Sequence, residues 1–244
     1  MAAVTAVVLF VLAAVVVGFS KTAIGGLGAV AVAVFASLLP ARTSTAAVLL
    51  VYLVGDLFAI WHYRREFDWP LVRSLLPTVI PGLALGAGFL AVVDDAMLRR
   101  SIGALILLTV ILQLWLSRRG SRAGLVHGRA GTAATGLAAG FTTMTANAAG
   151  AVMAVYLVAK GVEKRRFVGT VAWFFFGVNV AKLPFSLGLG LLAWTDVQRA
   201  VVLAPAVGLG AWLGIRTMRR ISQQHFDVVV LLASGLAGLA LLVR

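Results

Sequence analysis

Two polar clusters interrupt an otherwise apolar chain, and each gathers side chains able to replace the water around a small anion. The first is Ser20-Lys21-Thr22 with Gly25, Gly26 and Gly28 just beyond; the second is Thr142, Thr143, Thr145 and Asn147 with Gly150 beyond. Lysine brings charge, hydroxyls and amides bring donors that fix no charge, and glycines let backbone approach a ligand. A helix that restarts after a break presents free N–H groups, which attract anions. Asn179 and Lys182 are three residues apart and share a helix face, and Pro184 is expected to disrupt that helix and free nearby carbonyls. Asp56 is the one acid well inside an apolar segment; it either relays a proton or is the structural partner of a lysine. Each feature has a plainer reading. Lys21 and Lys182 can snorkel to headgroups, the glycines can serve tight packing, and Thr and Asn can bond between helices. The run Trp173-Phe174-Phe175-Phe176 reads as packing or lipid-facing rather than as a ligand cage.

The elements that position these residues must lie in a bilayer. The chain is 61% hydrophobic and only 12% charged, with a mean hydropathy of +1.04, whereas soluble domains carry about 25% charged residues. The net charge of +13 is dispersed over short loops, the pattern of an orientation signal rather than a nucleic-acid surface. With no cysteine, disulfides, thiolate catalysis and iron–sulfur ligation are excluded. His62, His127 and His225 stand alone without metal spacing, and no nucleotide-binding or hydrolase motif is present. No cofactor and no metal are expected, and the chain reads as a non-enzyme. The apolar start lacks a positive n-region and reads as the first membrane segment rather than a signal peptide.

Ten apolar runs follow, at about 2–18, 22–40, 43–62, 70–93, 97–117, 125–141, 145–160, 167–183, 196–215 and 226–243, each near the ~20 residues of a membrane helix. The expected fold is therefore all-α and integral to the membrane. Gly18-Phe19 and Gly140-Phe141 lie 122 residues apart, half the chain, which predicts two repeats, 1–120 and 121–244, joined at the polar stretch Ser117–Gly124. Breaks in matching positions of two halves point to a transporter's binding site. With the N-terminus outside, fifteen Lys and Arg fall on the cytoplasmic side and six opposite, a positive-inside bias. Five segments per half is odd, so the repeats insert in opposite orientations. Segments 1–2 and 6–7 are broken or re-entrant, giving eight to ten crossings; one long kinked helix per pair nearly erases the charge bias.

The motifs also resemble a known family. Gly18-Phe19-Ser20-Lys21-Thr22, Tyr52 with Asp56-Leu57-Phe58, Thr145-Ala146-Asn147-Ala148-Ala149-Gly150, and Trp173-Phe174-Phe175 with Asn179 and Lys182-Leu183-Pro184 are similar to the sulfite exporter TauE/SafE family over nearly the whole chain. Ala151 stands where members often carry proline. The resemblance implies a multi-pass protein of the bacterial inner membrane that exports sulfite, a sulfonate or a related organic acid. On this reading Lys21, Thr145, Asn147 and Lys182 line an anion site, with Ser20, Thr22, Gly25, Gly26, Thr142, Thr143 and Asn179 around it, and Asp56 couples protons. The partners are a small anionic substrate and the lipid bilayer, with a homodimer left open. An anion channel or an intramembrane enzyme is the alternative to a secondary transporter.

Overall fold

The computed structural model describes residues 2–23, 27–119 and 128–218. Among them the chain forms nine α-helices and no strand: α1 (Ala2–Thr22), α2 (Gly28–Leu38), α3 (Ala41–Tyr63), α4 (Trp69–Val92), α5 (Asp95–Arg119), α6 (Gly128–Ala146), α7 (Gly150–Ala159), α8 (Lys164–Gly188) and α9 (Trp194–Thr217). Five stretches among the described residues, Val4–Thr22, Ala41–Tyr63, Trp69–Val92, Arg166–Gly188 and Trp194–Thr217, are long and apolar enough to cross a membrane. The expected tenth segment, most of the expected joint, and Gly25 and Gly26 lie outside the described residues.

Three expectations about the helices are corrected. The helices run through most of each polar cluster rather than stopping at it: α1 continues through Gly18–Thr22 and α6 through Gly140–Ala146, giving way only at Asn147. The physical reason is local, since Thr22, Thr142 and Thr145 donate their hydroxyls to the carbonyls of Gly18, Ala138 and Phe141, four residues back, which accommodates hydroxyls inside an apolar helix. Second, the expected segments 22–40 and 145–160 shrink to helices of 11 and 10 residues, about 16 Å each at 1.5 Å per residue. That is about half of a ~30 Å hydrocarbon core, so neither α2 nor α7 is long enough to cross it alone. Third, α8 continues past Pro184 to Gly188. A proline near the end of a membrane helix removes one bond of the ladder without ending it, because neighbouring groups can take up the freed carbonyl.

The halves are interleaved. α4 of the first half lies along α6 of the second, and α9 of the second lies along α1 of the first; these are the two most extensive helix contacts. Glycine permits both crossings. Gly140 rests on the backbone of Val79, Gly82 and Leu83, and Gly18 on that of Val207 and Ala211, so close that a Cβ on either would overlap main-chain atoms. Lipid tails are as apolar as the helices, so association depends on such close packing.

Between these pairs α3 and α8 run antiparallel. Gly169, early in α8, rests against the carbonyls of Tyr63, the last residue of α3, and Glu66 just beyond it. Asp56 meets Asn179 further along, and Asn147 bridges Thr45, early in α3, to Lys182, late in α8. Asp56 and Asn179 each lie fifteen residues past the first residue of their helix, 41 to 56 and 164 to 179. The ends are fastened by carboxylates: Asp95 accepts from the N–H groups of Ala41 (2.7 Å) and Arg42 (3.0 Å) at the start of α3, and Asp68 accepts from Leu71 N–H (3.2 Å) at the start of α4, as good N-caps do. Trp69 and Trp194 open α4 and α9 and are largely exposed, as the aromatic belts at membrane interfaces are.

Candidate functional site

The antiparallel crossing of α3 and α8 carries a buried polar network whose two ends lie where α1 and α6 stop. Lys21, in the last turn of α1, reaches α3 because Gly55 leaves room for its stem. Its Nζ lies 2.7 Å from Asp56 Oδ1 and stands over the rings of Tyr52 (4.4 Å) and Phe175 (4.9 Å), a cation–π setting that suits a desolvated ammonium. Asp56 is fully buried, and its Oδ2 accepts from Asn179 Nδ2 at 2.6 Å. An ionised carboxylate only accepts, so Asn179 must turn its NH₂ group towards it. Its own Oδ1 is thereby left without a hydrogen-bond partner among the described residues, as is the buried hydroxyl of Tyr52.

The second half of the network lies one turn further along α8. Lys182 is 2% exposed and donates to the carbonyl of Thr143 at 2.7 Å and to Asn147 Oδ1. Asn147 is shaped for this by its backbone, with a φ of 50°. The left-handed conformation, which asparagine tolerates best among non-glycine residues, ends α6 at this point. Its N–H still reaches Thr143 O (3.1 Å), Ala148 N–H reaches Thr142 O (3.2 Å), and its Nδ2 donates to Thr45 O at 3.2 Å. Every polar atom of the Asn147 side chain is thus engaged, and it links Lys182 of α8 to Thr45 of α3.

The two lysines differ in charge environment. Lys21 is neutralised by Asp56, whereas Lys182 has only uncharged oxygens as partners among the described residues. Removing charge from water is costly unless a counter-charge comes with it, so an anion entering the network finds its unmatched cation at Lys182. Burial of both side chains excludes snorkelling to the headgroups.

Of the residues singled out in the sequence, Lys21, Asp56, Asn147, Asn179 and Lys182 meet in this network, and Thr143 joins through its carbonyl. Others serve the scaffold. Ser20 Oγ accepts the N–H of Gly28 (3.0 Å) and fastens the start of α2. Thr22 donates to Gly18 O and Ala211 O, both at 3.0 Å, tying α1 to α9. The hydroxyl protons of Thr142 and Thr145 stay within α6. Three contributors escape the sequence reading of site chemistry. Tyr52 stands four residues before Asp56 and Phe175 four before Asn179, so both share a helix face with a polar residue, and that spacing is the signal that finds them. Phe175 therefore belongs to the surroundings of Lys21, beyond simple packing. The carbonyl of Thr45 left no trace in side-chain types. Among the described residues no three His, Asp or Glu side chains gather to hold a metal.

Apolar helices of membrane-crossing length around a buried, charged network fit a multi-pass membrane protein. The chain belongs to the sulfite exporter TauE/SafE family, whose model matches residues 10–241, nearly all of it. The family is one of transporters. No curated relative and no solved structure matches the chain.

Proposed function

We propose that this protein is a secondary transporter that exports a small sulfur oxyanion or related organic acid across a bacterial inner membrane, with Lys182 and Asn147 as the core of its substrate site. The observation that carries the reading is the buried ammonium of Lys182, held by an amide and a carbonyl at the end of α6 with no carboxylate bonded to it among the described residues. Ionisable groups inside membrane segments mark substrate and ion pathways. Lys21 contributes field and shape while paired with Asp56. That pair, at 2.7 Å, favours Asp56 as a fixed partner over a freely cycling proton carrier. The hydroxyl-bearing shell of Ser20, Thr22, Thr142, Thr143 and Thr145 supports the site mainly by fixing the ends of α1 and α6.

Alternating access requires two bodies that rock about a shared centre. The antiparallel run of α3 and α8, with Asp56 meeting Asn179 one residue from its counterpart under the 122-residue offset, supports repeats related by an axis in the membrane plane. On this topology α2 and α7 are re-entrant limbs. Cysteines introduced at Met97 and Met218, in a chain that has no other thiol, are expected to label from opposite faces of the membrane; labelling of both from one face removes the inversion. Position 97 is chosen because Asp94 and Asp95 cap helices.

Sulfite flux into proteoliposomes, measured with and without a pH gradient, tests the transport reading. Saturable flux that exceeds that of empty liposomes is the expected result. Flux that never saturates identifies a channel, and chemical conversion of sulfite by the purified protein identifies an enzyme.

A further inference from the structure

We propose that the site selects singly charged oxyanions over doubly charged ones, and that Asp56 sets this preference by cancelling the charge of Lys21. The inference rests on the transport reading above and specifies its substrate class. Inside the network there are two lysines and one carboxylate: Lys21 and Asp56 form an ion pair, and Lys182 is the remaining cation. The other buried acid among the described residues, Asp196, belongs to the start of α9, where it accepts from Ala193 N–H and pairs with Arg199. One unmatched positive charge balances one negative charge. A second negative charge would sit in the apolar bundle beside the Asp56 carboxylate without a cation of its own, and like charges brought together out of water repel strongly.

The hydrogen-bonding groups left over point the same way. Lys182 uses two of its three protons, on Thr143 and Asn147, and the third is available to an anion. The buried Oδ1 of Asn179 has no partner among the described residues, and its orientation is enforced by Asp56 on the other side of the amide. An acceptor beside an anion site is satisfied by a ligand that is itself a donor. A partly protonated oxyanion, carrying one O–H and one negative charge, meets both demands, while a fully deprotonated dianion leaves Asn179 Oδ1 facing oxygen. Selectivity thus arises from a repulsive element as well as an attractive one.

The test is counterflow of radiolabelled sulfite in proteoliposomes, with methanesulfonate as the singly charged competitor and sulfate as the doubly charged one. For the wild-type protein, methanesulfonate is expected to compete about tenfold better than sulfate. Asp56→Asn frees the charge of Lys21 while keeping the shape of the side chain, and should shift the ratio about tenfold towards sulfate. The double variant Lys21→Met/Asp56→Asn, with one cation again, should return the preference to methanesulfonate whatever its rate. Equal competition by sulfate in the wild type, or an unchanged ratio in either folded variant where a change or a return is expected, overturns the charge rule and leaves the transport reading standing. If Asp56→Asn does not fold, the wild-type ratio and the double variant decide. Absence of any sulfite flux overturns both.

Discussion

Replacing Lys182 by methionine is expected to lower sulfite flux by about 100-fold while the protein still inserts and purifies as a folded species. The figure follows from the cost of truncating one member of a buried, hydrogen-bonded charged contact, about 2–5 kcal/mol, of which each 1.4 kcal/mol is tenfold. Methionine keeps most of the stem volume, so the packing of a side chain only 2% exposed is preserved. Asn147→Gly is the companion variant. Alanine at that position would add the strain of a left-handed residue, at a φ of 50°, whereas glycine adopts that conformation freely. A loss of flux with Asn147→Gly therefore reports the missing amide. Melting temperatures in detergent within a few degrees of wild type, together with flux lost in both variants, is the expected pair of results. Wild-type flux in both removes this network as the substrate site.

The largest effect on folding is expected at the helix crossings. Gly18→Val and Gly140→Val each push a branched side chain into main-chain atoms of the facing helix, Val207 and Ala211 in one case, Val79 and Leu83 in the other. Overpacking of a tight core costs about 1–3 kcal/mol and more where backbone cannot move, and here the obstacle is backbone on both sides. Little folded protein should be recovered from either variant. Gly88→Ala is the control, since a Cβ there meets nothing within 4 Å, and it should melt at or above the wild-type temperature because alanine favours the helix over glycine. Normal yields of Gly18→Val and Gly140→Val would show that α1–α9 and α4–α6 do not pack as described.

Composition by itself determined that the protein lives in a bilayer, because 61% hydrophobic and 12% charged residues leave no way to cover a soluble surface. The apolar runs located α3, α4, α8 and α9 to within a few residues, since the length of a crossing is imposed by the membrane. The same runs misplaced the ends of α1 and α6. Threonines that look like a break satisfy their own hydroxyls on the preceding turn, so polarity along the chain overstated where the backbone turns. Neighbours on one helix were legible as well: Asn179 with Lys182, and in principle Tyr52 with Asp56, because a spacing of three or four residues fixes a shared face.

Which lysine meets Asp56 was decided only by the tertiary structure. Both Lys21 and Lys182 were candidates from sequence; the fold gives Asp56 to Lys21 and gives Lys182 to Asn147 and Thr143. These partners lie 35 to 39 residues apart, and Asp56 and Asn179 lie 123 apart. In helices apolar almost all round, no periodicity records which face turns inward, so the pairing depends on where glycine lets two backbones touch. That same pairing leaves Lys182 with no directly bonded carboxylate among the described residues, and the character of the site follows from the crossing of α3 and α8 rather than from its list of residues.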